Sequence, residues 1–203
     1  HGSNELAHYA KEAWDIEYKF PFGWSEIEGI HNRTDYDLSR HEEFSGKNLS
    51  YFDQPNNDRY LPYIIETSAG LNRMLLTVLA DAYWEDDKNN RTVMRISPRL
   101  APVKAVICPL LKKDGLPEKA REIVEILKPH FKVLYDQQGS IGKRYYRQDE
   151  AGTPFGITVD HQSIEDNTVT LRDRDSMKQD RISIEKILNA VSYTHLTLPT
   201  TLQ

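Results

Sequence analysis

Apolar positions change period inside the stretch Tyr63 to Tyr83, "YIIETSAGLNRMLLTVLADAY". Up to Ser68 the pattern has the strand period of two, which sets Ile64, Glu66 and Ser68 on one face. From Leu71 onward, Leu71, Met74, Leu75, Val78, Leu79, Ala82 and Tyr83 recur at helical spacing and predict an amphipathic helix. In "GWSEIEGI" (Gly23 to Ile30), unbroken strand alternation puts Trp24, Glu26, Glu28 and Ile30 on one face, with Ser25, Ile27 and Gly29 on the other. Two such strands would line one anionic pocket suited to a small cation, for which the α-ammonium of an amino acid is a candidate. Gly70 lets backbone approach a ligand, and Arg73 enters the helix in its first turn, where free N–H groups and the macrodipole favour anions. A phosphate there would meet a guanidinium fork. The bland reading stands beside it: strand–Gly–helix connections are common, and a first-turn Arg is usually solvated.

Beyond residue 100 the period alternates again. "APVKAVICPLL" reads as a buried strand, and "LPEKAREIVEILKPHF" as a helix with Pro117 at its start and Ala120, Ile123, Val124 and Leu127 on one face. "KVLYD" (strand), "GSIGKRYYRQDEAG" (helix), "PFGITVD" and "NTVTLRDRD" (strands) and "ISIEKILNAV" (helix) follow, which implies an α/β sandwich. The polar stretch Glu85 to Pro102, "EDDKNNRTVMRISPRLAP", reads as a linker.

Composition narrows the class. The chain has 203 residues, of which 38% are hydrophobic and 28% charged, with a mean hydropathy of −0.65, as expected of a soluble globular protein with one large or two small domains. No apolar run approaches the roughly 20 residues a membrane helix needs. The start, "HGSNELAHYAKEAW", lacks the pattern of a secretory signal. Cys108, the one cysteine, lies in "VKAVICPLL" and reads as a buried structural thiol, which fits a reducing cytoplasm. The seven His residues show no metal-ligand spacing, so no metal site is expected. Net charge differs between the halves: 17 acidic and 10 basic side chains over residues 1–97, against 14 and 16 over residues 98–203. Two domains with different partners would look like this. The final "SYTHLTLPTTLQ" carries no Lys, Arg, Asp or Glu, and residues 192–203 read as a non-native tail.

The motifs also carry a resemblance. "SAGLNR" resembles motif 3 of the class II aminoacyl-tRNA synthetases, whose Arg holds the ATP γ-phosphate. The run "LAHYAKEAWDIEYKFPFGWSEIEGIHNRTDYDLSRHEEFSGKNLSYFD", with "GWSEIEGIHNRTDYDL" and "PYIIETSAGLNR" as signatures, resembles the glycyl-tRNA synthetases of the dimeric α2 type. The resemblance implies an α+β and α/β chain: the C-terminal part of a class II antiparallel-sheet catalytic domain over residues 1–97, then an α/β anticodon-binding domain over 98–191. Motifs 1 and 2 would lie outside this chain, which alone is expected not to form adenylate.

Carried onto these positions, Glu26 and Glu66 would bind the ammonium of glycine, closed in by Ser68 and the backbone of Thr67, Ala69 and Gly70. Glu26 and Ile27 would border the nucleotide, and Gly70, Leu71, Asn72 and Arg73 would contact ATP, with Arg73 the catalytic cation. Asn72 replaces the acid common before this Arg. ATP with Mg²⁺, glycine and tRNA(Gly) are the implied ligands, and the full enzyme would be a cytoplasmic homodimer without membrane contact. "IGKRYYRQDEAGTPFGITVD" and "TVTLRDRDSMKQDRI" resemble the anticodon-binding domain shared by the glycyl, threonyl, prolyl and histidyl enzymes. Lys143, Arg144 and Arg147 would then meet phosphates, and Tyr145 or Tyr146 would stack on an unpaired base. A solvated helix face over core tyrosines is the plainer reading of the same residues. Two other functions stay open at this point: a synthetase-like nucleic-acid-binding protein without catalysis, and a sister class II enzyme for another amino acid.

Overall fold

The computed structural model describes residues 6–193. Those residues divide into two compact units, with the boundary between Ala80 and Asp81. Of the expected tail, Ser192 and Tyr193 close the last helix, and residues 194–203 lie outside the described residues.

In the first unit, β1 (Glu12–Phe20) and β2 (Gly23–Asn32) form a long antiparallel hairpin, and β5 (Ile65–Ala69) joins β2 antiparallel, in the order β1-β2-β5. Between them come α1 (Tyr36–Ser45) and the small hairpin β3 (Tyr51–Asp53) with β4 (Asp58–Tyr60). Gly46 ends α1 in the left-handed region at φ 66°, a conformation glycine adopts without a Cβ penalty. Helix α2 (Leu71–Ala82) begins one residue after Gly70, as its spacing predicts, but its apolar residues Leu71, Leu75, Leu76 and Leu79 are exposed.

The second unit opens with β6 (Tyr83–Asp86) and β7 (Arg91–Met94), an antiparallel hairpin occupying much of the stretch that reads as a linker in the sequence. Buried charge explains the difference. Asp149 is 1% exposed and accepts hydrogen bonds from Arg91 Nη1 at 2.7 Å and from Arg172 Nη1 and Nη2 at 2.9 and 3.0 Å. Arg91 Nε also donates to Asp86 Oδ2 at 2.8 Å, and Val93 is fully buried. Asp86 and Arg91 of this segment are therefore internal partners rather than solvated linker, while Glu85, Asp87 and Lys88 stay exposed.

The main sheet follows: β8 (Ala105–Pro109), α3 (Leu116–Leu127), β9 (Val133–Tyr135), α4 (Ile141–Glu150), β10 (Phe155–Val159), α5 (His161–Asp166), β11 (Thr168–Asp173), β12 (Gln179–Ser183) and α6 (Ile187–Tyr193). Strand order is β12-β11-β10-β8-β9, with β10, β8 and β9 parallel and the β11 and β12 pairings antiparallel. Every residue of β8 and β10 is buried, as expected of parallel strands covered on both faces. Ala105, Ile107, Phe155, Ile157 and Val159 pack with Leu116, Ala120, Ile123 and Leu127 of α3 and with Ile187 and Val191 of α6. On the other face α4 approaches so closely that a Cβ at Gly156 would stand 2.6 Å from Tyr145 Cε1. Ile182 and Ser183, read as helix from the sequence, end β12 instead, paired with Val169 and Thr168.

Replacing Asp149 by Ala leaves buried Arg172 without a carboxylate and buried Arg91 with Asp86 alone. A destabilisation of about 3–5 kcal/mol is expected, read as a lower urea midpoint. A midpoint unchanged from wild type would show that the network contributes nothing.

Candidate functional site

The β1–β2 register slips at one point. Glu17 pairs with Glu26, but Ile16 pairs with Glu28, so Ile27 is the extra residue of a β-bulge. Because Ile16 and Glu17 are neighbours on β1, their partners Glu28 and Glu26 lie on opposite faces. This corrects the unbroken alternation, which sets the two carboxylates together. Pairing of β2 with β5 sets His31 opposite Glu66 and Gly29 opposite Ser68. Following these pairs across the sheet, Glu26 shares a face with Gly29, His31, Glu66 and Ser68. A Cβ on Gly29 would stand 3.5 Å from Glu26 Oε1 and 2.9 Å from His31 Cε1, so those side chains gather over the bare glycine. Thr67 and Ala69 are directed to the opposite face and offer the carboxylate face only backbone.

Arg73 meets β2 beyond the last β2–β5 pair, Glu28 with Ala69. Its Nη1 donates to Glu26 O at 2.7 Å and to Ser25 Oγ at 2.9 Å. Ser25 alternates with Glu26, so Arg73 reaches the strand from its edge and not from the carboxylate face. Gly70, Leu71, Asn72, Arg73 and Leu76 line an open concavity at the start of α2. A Cβ at Gly70 would touch only Arg73 Cβ, at 3.8 Å, so the fold itself does not require glycine there.

On α4 the five basic and aromatic residues separate. Arg144 is 3% exposed; its Nη1 donates to Pro109 O at 2.5 Å, and its Nε and Nη2 donate to Gly139 O at 3.2 and 2.7 Å. Tyr145 is buried against Gly156, with its hydroxyl bonded to Thr158 Oγ1. Both, expected from the sequence to meet a phosphate and a base, are buried and engaged at the junction of α4 with the sheet. Arg147 is tied to Asp136 Oδ2 at 2.6 Å and Gln138 O at 2.9 Å. Lys143 and Tyr146 are exposed. Cys108 is fully buried, and burial pushes its thiol up to about 12, as expected of a structural thiol.

Residues 104–193 match the family described as the anticodon binding domain. Three curated proteins, each named glycine–tRNA ligase, align with most of the chain. That of Treponema denticola is 58% identical over 199 residues, covering 94% of this chain and 44% of the relative. That of Clostridium tetani is 53% identical over 195 residues, covering 95% and 42%. That of Cutibacterium acnes is 52% identical over 197 residues, covering 92% and 42%. The chain is a relative of the glycine–tRNA ligases. It spans less than half the length of those it matches. Among the described residues no helix is long and apolar enough to cross a membrane, and no group of three His, Cys, Asp or Glu could hold a metal ion.

In this ligase relative, sequence reasoning misses Arg33. Its Nη1 donates to Glu66 Oε2 at 2.6 Å, while Nε and Nη2 grip Asp37 at 2.6 and 2.9 Å, and the guanidinium lies 4.1 Å from the Tyr9 ring centroid. Arg33 thus fixes one oxygen of Glu66 and leaves Oε1 for another partner. The Arg–x–x–x–Asp spacing running into α1 is the signal that could have found the Asp37 half; the contact with Glu66, 33 residues away, has none.

The hydrogen bond from Arg33 holds the Asp37 carboxyl below its ordinary 3.8, against the opposing effect of desolvation. A depressed carboxylate contributes its stability above the unfolded value and loses it as pH falls through the lower folded value. The anchor is therefore expected to persist at pH 4 and to fail only in stronger acid. An NMR titration of the Asp37 carboxyl carbon should give a midpoint below 3.8 that returns toward that value in Arg33→Ala. A wild-type midpoint at or above it would remove the anchor.

Proposed function

We propose that this chain is part of a glycine–tRNA ligase, which activates glycine with ATP and passes the glycyl group to tRNA(Gly). The observation that carries the reading is the meeting of Glu26, Glu66 and Ser68 on one face beside Arg73, within a chain 58% identical over 199 residues to a protein of that name. Glycine has no side chain to recognise. Selection must hold the ammonium and leave no room at the α-carbon, and a face that carries Glu26 and Glu66, with Glu26 and His31 crowded over Gly29, suits that task. Glu26 and the free Oε1 of Glu66 accept from the ammonium, and Ser68 adds a third polar group. Arg33 neutralises Asp37, so the carboxylate face keeps net negative charge for one cation.

The glycine carboxylate then attacks the α-phosphorus of ATP. The new C–O–P linkage forms as the bond to the β-phosphate oxygen breaks and pyrophosphate leaves. Because charge develops on phosphate oxygens, positioned cations outweigh side-chain acid–base chemistry. Arg73 supplies one, with Nη1 anchored on β2 and Nη2 open to the γ-phosphate, while Gly70, Leu71 and Asn72 give backbone clearance and Ile27 borders the nucleotide. Mg²⁺ would arrive with the ATP phosphates. In a second step a terminal hydroxyl of the tRNA displaces AMP from the glycyl carbonyl. Residues 104–193 hold the anticodon end, with Lys143 on phosphate and Tyr146 available for stacking. A homodimer working in the cytoplasm belongs to the same proposal, and exposed Leu71, Leu75 and Leu76 of α2 await cover from the longer chain that the relatives possess.

The kinetic test substitutes this chain for the matching segment of the Treponema denticola ligase and follows glycine-dependent pyrophosphate exchange. Glu66→Gln and Glu26→Gln are expected to weaken glycine use by about 2–5 kcal/mol in kcat/KM, with the ATP dependence nearly unchanged. Arg73→Ala should impair chiefly the ATP dependence. An unchanged glycine dependence in Glu66→Gln would sink the ammonium site.

For the tRNA end, Lys143→Glu should weaken binding of tRNA(Gly) at low salt and lower the slope of log K against log salt by roughly one. Arg144→Lys should act only through stability, seen as a lower melting temperature. An Arg144 variant of wild-type stability that lost salt-dependent binding would reverse the two assignments.

A further inference from the structure

Beyond Asn32 the pairing of β2 with β5 continues into a turn: Arg33 N donates to Ile64 O at 2.9 Å, and Ile64 N donates to Thr34 O at 2.8 Å. Thr34 stands at φ 55°, a left-handed conformation that a β-branched residue rarely adopts, and its N–H donates to Asn32 Oδ1 at 3.1 Å. Backbone strain of this kind persists where the surroundings over-determine it, and it clusters at functional sites. Here the strained turn does two things. It leaves Arg33 on the carboxylate face, two residues beyond His31, and it starts α1 so that Asp37, in the helix's first turn, meets the guanidinium.

Arg33 is then gripped from three sides. Nε and Nη2 donate to the two oxygens of Asp37, the Tyr9 ring covers the guanidinium at 4.1 Å, and Nη1 donates to Glu66 Oε2 at 2.6 Å. A fork fixed by both oxygens of one carboxylate has little freedom to follow Glu66, so Glu66 must follow it. Charge and geometry make opposite predictions for this contact. A cation beside the pocket opposes the ammonium of glycine, so by charge alone the loss of Arg33 would tighten glycine binding. By geometry the loss frees Glu66 to swing, and the ammonium and α-carbon move with it.

We propose that Arg33 is a positioning residue that sets the preference for glycine over alanine: by holding Oε2 of Glu66 it fixes where Oε1 receives the ammonium, and so how close the α-carbon lies to the sheet. A methyl group on that carbon is rejected only while the ammonium cannot shift to make room for it. The inference rests on reading Glu26 and Glu66 as the ammonium site, and it adds a residue that acts through Glu66.

The test uses the ligase in which this chain replaces the matching segment of the Treponema denticola enzyme, and it measures pyrophosphate exchange with glycine and with alanine. Arg33→Met, which keeps much of the length and loses the fork, should raise the KM for glycine about tenfold, with kcat and the KM for ATP nearly unchanged. The glycine-to-alanine ratio of kcat/KM should fall about tenfold, the low end of what one methylene is worth in a pocket. Arg33→Lys, which keeps the charge without the fork, should lower the ratio too. A variant that is merely less folded loses both activities in proportion and keeps the ratio. Asp37→Asn, which loosens the grip on Arg33 without removing it, should lower the ratio by a smaller factor. An unchanged ratio in Arg33→Met, or in Asp37→Asn where Arg33→Met is inactive with both amino acids, overturns the positioning role and leaves the ammonium site standing. So does a lower glycine KM in Arg33→Met. A glycine dependence unchanged in Glu66→Gln removes the ammonium site, and this inference with it.

Discussion

A single buried carboxylate organises the second unit. Asp149 leaves α4 toward the interior and gathers Arg91 from the β6–β7 hairpin and Arg172 from β11. Both guanidinium groups are nearly without solvent, and either one alone would be strongly unfavourable in that position. These charges, with buried Asp86 on Arg91 Nε as the fourth, are tolerable only together, so hairpin, helix and strand must be present in register at once. Arg174 extends the same logic without a second buried carboxylate: its Nη1 donates to the carbonyls of Ile96 and Gly152, closing backbone groups that the hairpin's exit would otherwise leave bare. Gly152, at φ 82° and with a hypothetical Cβ 2.8 Å from Ile96 Cδ1, is where this closure leaves no space for a side chain.

In the first unit the equivalent constraint is geometric. A strand that alternates without interruption can show Glu26 and Glu28 together, but then Glu26 stands away from Glu66. One extra residue at Ile27 reverses the phase of everything before it and turns Glu26 toward Glu66 and Ser68. Bulges re-aim side chains in this manner at the cost of a local ladder interruption. The Glu26 carbonyl that accepts the hydrogen bond from Arg73 lies next to that interruption, so the same local irregularity serves both the carboxylate face and the guanidinium.

Legibility followed the range of the interaction. Helices α2 and α3 were readable because their apolar spacing is local and strongly periodic, and β8 and β10 because strands buried on both faces show as continuous apolar runs. The hairpin β6–β7 was not, since Glu85, Asp86, Asp87, Lys88 and Arg91 look like a solvated linker until Asp149, 58 residues from Arg91, supplies the reason for burying part of that charge. The bulge was invisible for a related reason: Ile27 fits an alternating pattern well, and only the partner strand reveals the slip. Candidate residues Glu26, Glu66, Ser68 and Arg73 came from motif resemblance, while their grouping came from cross-strand register that no single segment encodes. Arg33 is not legible as a site residue because its decisive partner, Glu66, is remote in sequence.

The same distinction governs how basic residues should be read for nucleic-acid binding. In α4, Lys143, Arg144 and Arg147 look equivalent in a sequence, and their charge together with the neighbouring tyrosines suggests an RNA-facing stripe. Their partners separate them. Arg144 spends its guanidinium on two backbone carbonyls, and Arg147 spends one nitrogen on Asp136 and Gln138, so both hold the loop that precedes α4. Arginine suits such anchoring because its planar fork satisfies several acceptors at once, whereas lysine is a compact charge on a flexible stem. Lys143, exposed on the same helix, keeps its charge available to solvent and counterions. Counting positive residues therefore overestimates the phosphate-facing charge of this helix, and the counterion released on RNA binding should reflect those cations that the fold has not already used.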